Sequence, residues 1–173
     1  SDVVEAANPA VVAIEITRDV PVREVYYIDP WFEKYGVSSN FQVPRYRNSG
    51  ETTTEDIGSG SGFVISEDGY LITNAHVVQN REANYTVSMI NGEQYAATVL
   101  SINFNIDLAL LKIESEERLN YLTLGDSEQL RLGQSVIAIG NALGLFRNTV
   151  STGVISGLAR SVTTDTGAPG EVE

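Results

Sequence analysis

A succession of short runs rich in Val, Ile, Leu and Thr, each closed by turn residues, limits what this chain can fold into. Ala10–Thr17, Gly58–Ile65, Leu71–Asn74, Tyr85–Ile90, Gln94–Ile102, Asp107–Ile113, Gln134–Gly140 and Thr149–Leu158 all read as strands. Asn91-Gly92 between two alternating runs is a hairpin signal, and Asp68-Gly69 marks another turn. Only Asp2–Ala7 reads as a helical turn or two, stopped before Pro9. Many short strands separated by turns predict an all-β fold, a barrel or a sandwich.

Residues 19–56 interrupt the pattern with Pro21, Pro30 and Pro44, many polar residues and a cluster of Tyr26, Tyr27, Trp31, Phe32 and Tyr35. We read this stretch as a long functional or partly disordered loop. Its rings either cover the domain's own core or dock on another subunit. Glu114–Asn120 is charged and reads as a linker, and residues 161–173 read as a flexible end.

Composition removes several function classes. The 173 residues carry 23 acids against 11 bases, a net charge of −12, which repels a phosphate backbone and argues against nucleic-acid binding. Cysteine is absent and there is one histidine, so neither disulfides nor a thiolate or multi-histidine zinc site can form. No apolar run approaches the ~20 residues of a membrane-spanning helix. Ser1 in place of an initiating methionine leads us to expect an upstream segment, of which a signal or an anchor is one form.

The single histidine, His76, follows the strand Leu71–Asn74, and Asp107 stands at the mouth of the apolar strand that ends at Ile113. Imidazole titrates near neutral pH and can take a proton from a serine hydroxyl. A carboxylate on its other nitrogen fixes the tautomer and stabilises the imidazolium that forms. His76 and Asp107 fit those two roles. On residue types alone, a turn histidine and a strand-edge cap explain them as well.

The motifs around the two residues go further. Thr73-Asn74-Ala75-His76-Val77-Val78 follows a Gly-Ser-rich strand and Gly69-Tyr70-Leu71-Ile72, and precedes Asn105-Ile106-Asp107-Leu108-Ala109-Leu110-Leu111-Lys112-Ile113. Leu124-Gly125-Asp126-Ser127, Leu132-Gly133-Gln134, Ile139-Gly140-Asn141 and Thr149–Ser156 follow in turn. This ordered set, from about Asn8 to Arg160, resembles the HtrA/Deg family of trypsin-like serine proteases. The long insertion resembles that family's variable first loop, with Asp29–Gly36 similar to its Phe-rich segment. Ala142 stands where the family usually has proline after the asparagine, which leaves that turn less rigid.

The resemblance implies a chymotrypsin-like double β-barrel. The first barrel would occupy residues 1–113 with the loop 19–56, the linker 114–121, and the opening strands of a second barrel 122–160. It makes His76 the general base and Asp107 the orienting acid, with no metal or cofactor. It also implies unfolded or damaged polypeptides as substrates, a trimer or larger homo-oligomer, PDZ domains downstream, and a location in the bacterial periplasm, envelope or an equivalent organelle.

A Gly-Asn-Ser-Gly-Gly segment should carry the nucleophile, and the chain contains none. Ser127 lies in Gly125-Asp126-Ser127-Glu128, where Glu128 replaces the needed glycine. Ser49 precedes the histidine, Ser59 and Ser61 miss the elbow spacing, and Ser156 falls in a strand. The expectation is therefore a chain with base and acid but no nucleophile, oxyanion hole or specificity pocket, inactive alone and paired with the missing carboxy-terminal half. Strands of a half-built barrel should be covered by a separate chain carrying the remaining strands or by a copy of this one, or be partly disordered after Leu158. A non-catalytic binding or assembly module is the alternative. An α/β-hydrolase esterase is disfavoured, since neither its alternating helices nor its serine elbow is visible.

Overall fold

Six antiparallel strands close a barrel: β1 (Val11–Ile28), β2 (Val43–Val64), β3 (Tyr70–Thr73), β4 (Asn84–Ser88), β5 (Gln94–Asn103) and β6 (Leu108–Ile113). The computed structural model describes residues 2–39, 41–142 and 146–158, so the flexible end expected for residues 161–173 lies outside it. Around the ring the order is β1-β2-β3-β6-β5-β4, and β4 pairs back onto β1 from Ala13↔Ser88 to Thr17↔Asn84. Closure leaves this part of the sheet without an edge.

Alternation along the strands builds the core. Val12 and Ile14 of β1, Val64 of β2, Leu71 of β3, Val87 of β4, and Leu111 and Ile113 of β6 are all fully buried. Each such side chain contributes roughly 1.5–3 kcal/mol relative to an exposed position. The β2–β3 turn places Gly69 at φ 97°, and a Cβ there would sit 2.3 Å from the Ile113 carbonyl oxygen. Glycine alone satisfies both demands.

The expectation of an irregular loop over residues 19–56 is corrected. β1 runs on to Ile28 and β2 starts at Val43, so both strands leave the barrel as one antiparallel hairpin arm. Past Thr17, among the described residues, no third strand pairs with either arm strand. The eleven residues from Arg18 to Ile28 span ~35 Å at about 3.3 Å each. Proline is tolerated here because each strand of a two-stranded ribbon keeps a free edge that needs no N–H donor. Pro21 and Pro44 both occupy paired positions, opposite Thr52 and Tyr27.

At the tip, α2 (Pro30–Tyr35) is capped by Asp29, whose carboxylate accepts from the Trp31 and Phe32 amides at 3.0 and 3.2 Å. Trp31 and Tyr35 stack with ring centroids 5.2 Å apart. Trp31, Phe32 and Tyr35 are each more than half exposed, so these rings do not cover the core.

Residues 114–126 form no helix or strand. Leu119 and Leu122 nevertheless donate backbone hydrogen bonds to the Glu67 and Val64 carbonyls at 3.0 and 2.9 Å, which ties the connection to the first barrel. Beyond it, β7 (Ser135–Ala142) and β8 (Phe146–Val154) pair as a two-stranded sheet, and β7 contacts β1 and β2. The architecture is thus all-β, a closed first barrel followed by strands of a second sheet. The short helix α1 (Asp2–Ala7) precedes β1.

Candidate active site

β3 ends at Thr73, whose hydroxyl donates to the Ser61 carbonyl at 2.6 Å and ties the strand end to β2. A 3₁₀ turn follows over Ala75–Val78. Ala75, Val77 and Val78 are buried while His76 is exposed, so the turn clamps the barrel with three apolar residues and offers the imidazole outward. Gly60 on β2 makes room for this. A Cβ at Gly60 would lie 2.5 Å from Val77 Cγ1.

Asp107 arrives from the other side. A 3₁₀ turn over Phe104–Ile106 is capped by Asn103, which accepts from the Asn105 amide at 3.1 Å. Asp107 then takes φ 49° and ψ 46°, and β6 begins at Leu108. It is the only non-glycine residue with positive φ among the described residues. Pairing of Thr73 with Ala109 brings the end of β3 beside the start of β6, and with it His76 beside Asp107.

His76 Nδ1 lies 2.8 Å from Asp107 Oδ2 and 3.0 Å from Oδ1. The His76 backbone N–H donates to Oδ1 at 3.0 Å, and Asn74 Nδ2 donates to Oδ2 at 3.1 Å and to the Asp107 carbonyl at 3.2 Å. The His76 amide leads in holding the Asp107 carboxyl below the usual aspartate range. Burial opposes it, and the His76 ring and the Asn74 amide reinforce it. An ionised carboxylate only accepts hydrogen bonds, so Nδ1 carries the hydrogen and Nε2 is left as the basic nitrogen. Both sequence-predicted site residues therefore meet in one hydrogen-bonded pair.

Residues 60–172 match the family model for the trypsin-like peptidase domain. The chain belongs to the trypsin-like peptidase family. Within it, its relatives are HtrA and DegP proteins, in agreement with the motif resemblance. It is 38% identical over 136 residues to a probable periplasmic serine endoprotease, DegP-like, of Chlamydia trachomatis, covering 79% of this chain and 26% of the relative. Serine protease HTRA1 of Xenopus laevis is 39% identical over 156 residues, 90% of this chain and 28% of the relative. A DegP-like protein of Halomonas elongata is 37% identical over 177 residues, 98% of this chain and 37% of the relative. The chain thus spans between about a quarter and somewhat over a third of the length of these relatives.

In this trypsin-like chain, the hydrogen bonds described for the His76 ring both run to Asp107. Ser127 opens a 3₁₀ turn whose cap is Asp126, accepting from Glu128 N at 3.0 Å, so Gly-Asp-Ser-Glu is a turn-capping motif here. Ser49 lies on the arm, donating to the Val22 carbonyl at 3.0 Å, and Ser59 and Ser61 sit within β2. An apolar cleft of about 520 Å³ is lined by residues of both the first barrel and β7. Thr73, Asn74 and Leu108 line it on the side of His76 and Asp107, Ile137 and Ile139 on the other.

Sequence reasoning missed Asn74 and Gly60 as contributors. Both stand inside quoted motifs, yet what each touches depends on strands far away in the chain.

Proposed function

We propose that this chain supplies the general base and the orienting acid of an HtrA/Deg-type serine endopeptidase that cuts unfolded or damaged polypeptides. The 2.8 Å approach of Asp107 to His76 Nδ1 is the observation that carries this reading. In it, His76 Nε2 takes the proton of a serine hydroxyl as that oxygen attacks a peptide carbonyl, and then returns it to the leaving amine. Asp107 holds the ring in the required tautomer and stabilises the imidazolium between the two transfers. The serine and its oxyanion-hole amides come from a Gly-Asn-Ser-Gly-Gly segment, which the 173 residues do not contain. By this reading the chain alone does not hydrolyse peptides, because even one lost oxyanion donor costs about 10²–10³ in rate.

The test is hydrolysis of fluorescent casein by the chain alone and after mixing with a polypeptide that carries the missing half-domain. Cleavage by the mixture, abolished by His76→Ala, is the expected result. Cleavage by the isolated chain would overturn the assignment of the nucleophile.

The bacterial relatives' description as periplasmic supports an envelope location. The exposed aromatic tip of the arm supports self-association into a trimer or larger assembly, while the net charge of −12 disfavours nucleic acid as a partner. That same tip favours a second reading, a non-catalytic assembly module. Oligomers that persist in the mixture while casein stays intact would select it.

A further inference from the structure

We propose that Asn74 is a positioning residue for the His76–Asp107 pair, its single amide nitrogen locking both the backbone and the carboxylate of Asp107. The inference rests on reading that pair as the charge-handling part of a serine peptidase.

Asn74 occupies the position before the 3₁₀ turn Ala75–Val78, where an asparagine side chain ordinarily accepts a hydrogen bond from the turn. It makes no such capping bond. The side chain is instead used across the sheet. Nδ2 reaches the Asp107 carbonyl at 3.2 Å and Oδ2 at 3.1 Å, one hydrogen for each oxygen. Asp107 is the residue that most needs such a hold, since φ 49° places it in the left-handed region that L residues with a Cβ disfavour. The bond to its carbonyl restrains the backbone there, and the bond to Oδ2 restrains the carboxylate. The His76 amide holds Oδ1 at 3.0 Å, and both carboxylate oxygens face Nδ1, Oδ2 the closer at 2.8 Å.

The chemistry of the residue matters. Asparagine offers two hydrogens on one nitrogen, serine offers one, and aspartate offers none while adding a like charge beside Asp107. The order of substitution effects should follow that order.

Because His76 is the only histidine, its ring nitrogens can be read in this chain without ambiguity. ¹⁵N shifts of the neutral ring report the ratio of Nδ1–H to Nε2–H tautomers. Asp107→Asn, which keeps a side chain tolerant of the left-handed region, tests the pair itself and should abolish the bias toward Nδ1–H. Asn74→Ala should lower the tautomer ratio about fivefold, the worth of one net hydrogen bond. Asn74→Asp should lower it further, and Asn74→Ser should fall between wild type and alanine. An unchanged amide spectrum over the barrel strands shows that the fold is intact. The serine variant serves if the alanine variant fails to fold. Wild-type ratios in every folded Asn74 variant, with a shifted ratio in Asp107→Asn, would overturn the role of Asn74 and leave the pair standing. No shift in Asp107→Asn would remove the pair reading itself.

Discussion

The same two strands, β1 and β2, meet opposite conditions at their two ends. From Val11 to Thr17, β1 pairs with β2, and from Ala13 onward also with β4, and buries Val12 and Ile14 completely. From Arg18 to Ile28 it pairs with β2 alone, and Val25, Tyr26 and Tyr27 are exposed. Backbone pairing is equally regular in both halves apart from two register shifts, one at Ile16/Thr17 where the arm departs and one at Pro21/Arg23. Regular hydrogen bonding therefore does not report where stability resides. Apolar burial distinguishes the ends, and a two-stranded ribbon without it is marginal in water. The barrel end carries the site, and the arm end carries a surface.

The widest gap between the two ends is expected at Leu111. It is fully buried between β3 and β5, opposite Leu71 and Val99. Leu111→Ala should cost about 2–5 kcal/mol, from lost transfer energy and the cavity left behind. Urea unfolding followed by far-ultraviolet circular dichroism measures it. Tyr46→Ala, a comparably large truncation on the exposed arm, should leave the midpoint nearly unchanged. Equal losses at the two positions would show that arm and barrel unfold as one cooperative unit.

That contrast also explains what was legible beforehand. Barrel strands announce themselves because one face of each is buried, so Val12, Ile14, Leu71 and Val87 must sit at every second position. His76 was legible as the lone imidazole after such a strand, and Asp107 as an acid at the mouth of another. The arm has water on both faces, so nothing imposes alternation, and Pro21 and Pro44 suppress what strand signal remains. Its pairing is supplied by β2, whose partner residues lie from 15 positions away at Ile28↔Val43 to 37 at Arg18↔Glu55. Asn74 was hidden for a related reason. Whether its amide caps the next turn or crosses to Asp107 is decided by the register Thr73↔Ala109, which no local pattern encodes.

Gly60→Ala sharpens the comparison within β2 and should have the next largest effect. The added methyl would meet Val77 at 2.5 Å, and valine is short and stiff at χ1, so the turn that carries His76 has to lift. Overpacking of this kind costs about 1–3 kcal/mol. It should also lengthen the His76–Asp107 contact, visible as a changed His76 ring ¹⁵N shift. Gly50 on the arm, by contrast, has nothing within 4 Å of its Cβ position, so substitution there meets only its φ of 89°.

A weaker effect follows from Asp107. Its folded-state value is lowered, so its contribution to stability is present above the ordinary aspartate value of about 3.9 and is lost as pH falls through the lower folded value. The side chain is 38% exposed, so solvent screens much of this. Subtracting the stability curve of Asp107→Asn from that of the wild type, between pH 6 and pH 2, isolates the contribution. A difference that instead grows with acidification would contradict the hydrogen-bond assignment.

The smallest effect is expected on the arm, and it tests the comparison from the other side. Arg47 bonds Glu24 at 2.6 Å across the ribbon and lies over the Tyr26 ring, 5.3 Å from its centroid. Both charged side chains are exposed, at 63% and 46%, so the ion pair contributes less than about 1 kcal/mol. Arg47→Ala should therefore leave the global unfolding midpoint in place. It should raise amide exchange locally, at Glu24, Val25 and their partners on β2, because the ribbon has few other side-chain ties and opens without the barrel. If exchange instead rose in β3 and β6, the arm would be coupled to the strands that hold His76 and Asp107, and the division between a stabilising end and a presenting end would fail.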